Sequence, residues 1–115
     1  MKKILITLGA TLALAAQAAS SFPDKPVNII VPFPAGGSTD TVARAVALSM
    51  AEQLGKPFVV ENRPGATGTI GAGAVKRAAA DGYTLLVASL GPFVVTPHMV
   101  KNVPYDAGKD FDYIT

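Results

Sequence analysis

The side chains able to do chemistry are few and loosely spaced. The 115-residue chain carries one histidine and no cysteine, which excludes thiol nucleophiles, disulfides and cysteine-based zinc sites. Ser89, in Val87-Ala88-Ser89-Leu90-Gly91, stands where a nucleophile elbow would place a serine. The first glycine of G-x-S-x-G is missing, and His98 follows close by instead of arriving from a distant later segment. A ligand-binding or structural hydroxyl is therefore the first reading of Ser89, with a secreted hydrolase as the alternative. Asp106, Asp110 and Asp112 are spaced too loosely for a calcium loop. Glu61 and Arg63 flank a turn and are expected to pair on the surface.

What remains is the chemistry of hydrogen-bond donors. Val31-Pro32-Phe33-Pro34-Ala35-Gly36-Gly37-Ser38-Thr39-Asp40 follows an apolar run and precedes a helical pattern. A helix start has unpaired N–H groups and a partial positive charge. Gly36 and Gly37 leave that backbone open to a small anion such as a carboxylate. The plainer alternative is a tight βα turn with no ligand, in which Asp40 complements the helix dipole. No lysine follows the glycines as in a phosphate-binding P-loop, and Gly65, Gly68, Gly71 and Gly73 lack dinucleotide spacing. No cofactor is expected.

The elements that position these loops have legible signals. Val27–Val31 is a nearly continuous apolar run, as in a strand buried on both faces. Thr39–Leu54 has Val42, Val46, Met50 and Leu54 at four-residue intervals, flanked by Ala43, Ala47 and Ala51, and together they predict a helix with one broad apolar face. Gly55 and Pro57 end it. Phe58–Val60 predicts a second strand and 61–65 a turn. A second helix is expected over 69–79, with Ile70, Ala74 and Ala78 aligned, and Asp81-Gly82 precedes a third strand over 83–88. A short helix is expected around 97–101. The order β-α-β-α-β implies a parallel sheet with right-handed crossovers and a helix on each face. Ligands in such sheets bind beyond the C-terminal ends of the strands. The three loops leaving those ends, 32–39, 62–69 and 89–93, are rich in Gly, Ser, Thr and Pro.

Met1-Lys2-Lys3, the apolar run Ile4–Ala15 and Ala16-Gln17-Ala18 have the order of an export signal, so residues 1–19 are read as a signal peptide and the chain as periplasmic. Without Lys2 and Lys3, eight basic residues balance eight acidic ones. The formal charge of +2 is thus no sign of nucleic-acid binding.

Taken together, Val31–Asp40, Val60-Glu61-Asn62-Arg63-Pro64-Gly65-Ala66 and Asp81-Gly82-Tyr83-Thr84-Leu85-Leu86 resemble the Bug/TctC family, the extracytoplasmic receptors of tripartite tricarboxylate transporters. Thr96-Pro97-His98, Pro104-Tyr105-Asp106 and Lys109-Asp110-Phe111 are similar to that family too. The resemblance implies a periplasmic-binding-protein-like α/β fold of two lobes that close on a small carboxylate. That ligand would be a di- or tricarboxylate, an amino acid or an aromatic acid. It implies a monomeric receptor rather than an enzyme, with membrane transporter subunits as partners. By the same resemblance Phe33, Ala35, Gly36, Gly37, Ser38, Thr39 and Asp40, with Ser89, Leu90 and Gly91, approach the ligand, and Thr69 lies nearby. Such receptors are considerably longer, so residues 20–115 are expected to form the N-terminal part of lobe 1. A non-functional truncated product is a further alternative.

Overall fold

A computed structural model describes residues 21–115; the expected signal peptide lies outside them. Three strands, β1 (Val27–Val31), β2 (Phe58–Asn62) and β3 (Thr84–Leu86), form one parallel sheet in the order β2-β1-β3. Val27 pairs with Phe58 and Val31 with Asn62, while Asn28 and Ile30 pair with Thr84 and Leu86 on the other side. β2 runs two residues further than its apolar core predicts, because Glu61 and Asn62 pair with Ile30 and Val31. β3 is shorter than 83–88, although Asn28 N–H to Tyr83 C=O and Val87 N–H to Ile30 C=O continue its bonding at 2.9 and 3.0 Å.

Central β1 carries the core. Val27, Ile29 and Val31 point to one face and join Ala43, Ala47 and Phe58 in a buried cluster. Ile30 is buried on the other face, whereas Asn28 is exposed. Helix α1 (Ser38–Leu54) covers the first face and ends at Gly55 in a left-handed turn. Its buried residues are Asp40, Ala43 and Ala47, so the alanine side of the predicted face lies on the sheet and the valine row does not. Val42 and Val46 are exposed, and only Met50 of that row packs partly against the cluster alongside Ala51. Ala43 and Ala47 each follow a valine by one residue and so lie about 100° further round the helix axis, and the sheet covers the alanine side. The small alanines let the helix lie close on β1.

Helix α2 (Thr69–Arg77) follows a single 3₁₀ turn, Ala66–Gly68. It buries Thr69, Gly71, Ala72 and Gly73, while Ile70, expected inward, is exposed and lies over Gly65. A Cβ on Gly71 would stand 2.7 Å from Pro32 Cβ and 2.9 Å from the Arg63 carbonyl oxygen. No side chain fits there, so glycine sets how closely α2 approaches the end of β1. After β3, a π-helical turn, Gly91–Val95, runs into α3 (Thr96–Met99), one residue earlier than expected. The remaining chain folds back: Tyr105 donates its hydroxyl to Pro92 C=O, Phe93 meets Tyr105, Phe111 and Tyr113 in tilted to edge-on contacts, and Lys76 of α2 pairs with Asp110 at 2.8 Å. Among the described residues no helix is long and apolar enough to cross a membrane.

Candidate functional site

The loop from β1 to α1 is closed by Asp40, in the first turn of the helix. Its carboxylate is 3% exposed and fully engaged. Gly36 N–H donates to Oδ2 at 2.8 Å, Arg44 Nε to Oδ2 at 3.0 Å, and Asn62 Nδ2 to Oδ1 at 2.9 Å. The Arg44 guanidinium first, then the Gly36 and Asn62 donors, hold its pKa down to about 2. Gly37 precedes the helix with no side-chain cap, and the first helical bond is Thr41 N–H to Gly37 C=O. The N–H groups of Ser38, Thr39 and Asp40 thus lie ahead of the helical ladder. Ala35, Gly36, Gly37 and Ser38 are exposed, and Phe33 and Thr39 are half-buried.

Two residues outside the predicted site complete this arrangement. Asn62, at the end of β2, also donates to Phe33 C=O at 3.1 Å, and its Oδ1 accepts from Arg44 at 3.1 Å. The Asp40–Arg44 spacing is a recognisable i,i+4 pair. Asn62 lies far away in sequence, in a stretch that reads as a turn, and only the parallel register brings it to the loop.

All three strand-end loops converge. A Cβ on Gly68 would meet Pro92 Cγ at 2.6 Å and Pro32 Cβ at 3.6 Å, so one residue from each loop shares this point. Ala66 and Thr67 have positive φ, 45° and 54°, and Thr96 Oγ1 lies 3.4 Å from Thr67 Oγ1. Thr69 is buried and donates its hydroxyl to Ala66 C=O at 2.9 Å. Ser89 and Leu90 are exposed, and Ser89 Oγ lies close beside Gly91. His98 is exposed, and among the described residues no hydrogen bond joins it to Ser89. The predicted Glu61–Arg63 pair forms on the surface at 2.7 Å. Among the described residues no group of His, Asp and Glu side chains is arranged to hold a metal. A shallow depression of about 150 Å³, lined by Asn28, Ile30, Glu61, Arg63, Ala74, Ala78 and Thr84, lies on the α2 face of the sheet. Of its lining residues only Arg63 belongs to the strand-end loops.

The fold is of the class found in periplasmic binding proteins of the TctC type. MatC (Rpa3494) from Rhodopseudomonas palustris, solved with bound malate, is similar with a TM-score of 0.74 and 44% identity, over 78% of this chain and 31% of that one. Rpa4515 from R. palustris, solved with adipate, gives 0.73 and 36% identity, over 76% and 29%. Residues 42–115 match the family model of the tripartite tricarboxylate transporter family receptors, TctC, and the chain belongs to that family. BugT of Bordetella pertussis is 43% identical over 96% of this chain and 35% of its own length. The chain spans about a third of the length of the curated relatives it matches.

Proposed function

We propose that this chain is the N-terminal part of the first lobe of an exported receptor that captures a small carboxylate for a membrane transporter. Capture would proceed by closure of a second lobe and a shift of population, with no bond made or broken. The carrying observation is the set of N–H groups at the start of α1, ahead of the helical ladder and beside exposed Ala35, Gly37 and Ser38 at the C-terminal end of β1. The bound malate and adipate in similar proteins support a small carboxylate as the ligand. Ser89, Leu90 and Gly91 would face the same ligand from the end of β3. The Asp40 carboxylate and the Thr69 hydroxyl, engaged inside their loops, would shape the site without touching the ligand, and Gly36 N–H is already spent on Asp40.

The ligand class is a small carboxylate, held at one end by this lobe. Thermal unfolding with and without malate or adipate tests the idea, with malate dimethyl ester as control. At a Kd of about 1 mM, 10 mM ligand adds about 1.4 kcal/mol of stability. A rise in midpoint with either acid and none with the ester is expected. Equal effects of acid and ester would contradict carboxylate recognition.

A further inference from the structure

We propose that Asp40, Asn62 and Arg44 form a positioning unit that holds the β1–α1 loop with its donors turned outward, an assignment resting on the receptor reading above. Both the donor and the acceptor end of the Asn62 amide are engaged. One N–H direction goes to Phe33 C=O, the other to Asp40 Oδ1, and its oxygen accepts from Arg44. Aspartate at 62 would set like charges together, and a leucine would leave Phe33 C=O and one Asp40 oxygen short of a donor. Through these bonds the end of β2 grips both ends of the loop, Phe33 and Asp40. Asp40 then fixes the middle by accepting from Gly36, whose φ of +86° few other residues adopt.

The charges explain why Arg44 belongs to the unit. A carboxylate buried in the first turn of α1 occupies the helix end that would attract a ligand anion, and by itself it would repel one. Arg44, one helical turn on, is paired with it at 3.0 Å and offsets that charge, leaving the free N–H groups to act on an incoming anion. Both Asp40 side-chain oxygens are taken by the protein, so the three side chains of the unit position the loop and make no ligand contact.

The test uses the full chain and two variants, Asn62→Ala and Arg44→Met, with two readouts. The first is hydrogen exchange of the Gly36 amide without ligand; the second is malate affinity. In Asn62→Ala, Gly36 exchange is expected to quicken and malate to bind about tenfold more weakly, the scale of one lost hydrogen bond to a charged group. Arg44→Met is expected to weaken malate while the fold is kept, with Arg44→Lys recovering much of the loss. Variants that fold and bind malate as the unaltered chain does would overturn the unit and leave the receptor reading standing. Failure of the unaltered chain to bind any carboxylate would overturn both. If Asn62→Ala does not fold, the exposed Arg44 variants decide.

Discussion

Asp40 carries the most chemistry of any single residue here, and its state is set by Arg44 and Gly36, four residues away on either side, together with Asn62 from β2. Its pKa is about 2 in the fold, against an ordinary value of 3.8. A depressed carboxylate stabilises the fold when ionised, so its contribution is complete above about pH 5 and disappears as pH falls through about 4 toward 2. Asp24, lowered chiefly by the Tyr83 hydroxyl, and Asp110, lowered chiefly by the Asp106 N–H, add to acid sensitivity in the same direction, so global unfolding does not isolate Asp40. The Gly36 amide proton does. Its chemical shift is expected to titrate with an inflection near pH 2, absent in Asp40→Asn; an inflection near pH 4 would show that the bond network does not hold. The sequence marked Asp40 as a first-turn acid by position alone. Its burial was not legible, because the Asn62 amide that helps enclose it comes from β2 and meets it only through the fold.

Among the elements, the close approach of α2 to the end of β1 depends on Gly71. Alanine is the better helix former by up to about 1 kcal/mol, yet Gly71→Ala would drive a Cβ into Pro32 and the Arg63 carbonyl. A net destabilisation of about 1–3 kcal/mol is expected from that overpacking, measured by urea unfolding; a stabilised variant would contradict so close an approach. On β1, Ile29 is 1% exposed, and Ile29→Ala is expected to cost about 2–5 kcal/mol. Val42, 56% exposed, should accept lysine with a change within about 0.5 kcal/mol. Strands, helices and their order were legible because each carries local punctuation: the apolar run of β1, Gly55 with Pro57, and Asp81-Gly82. The buried face of α1 was legible only as a broad apolar side, not as the alanine half of it that packs. Two apolar rows, one of valines and one of alanines, compete there, and which lies down depends on how close the sheet comes.

For the molecule as a whole, parallel order and family membership agree with what the strand pattern and the recurring motifs imply. The sheet gathers its donor-rich loops at one end because parallel strands all finish on the same side. Convergence of Pro32, Gly68 and Pro92 was implied by that topology, while the inward turn of Asp40 and Thr69 required coordinates. A carboxylate cradle at that end is what the fold and the loops together predict, and residue-by-residue NMR titration with malate is its sharpest test. Saturable shifts are expected at the amides of Gly37, Ser38, Thr39 and Asp40, with Ser89 to Gly91 responding along the same curve. Shifts confined to Asn28, Ala74 and Thr84 around the α2-face depression, with the α1 start unmoved, would contradict it.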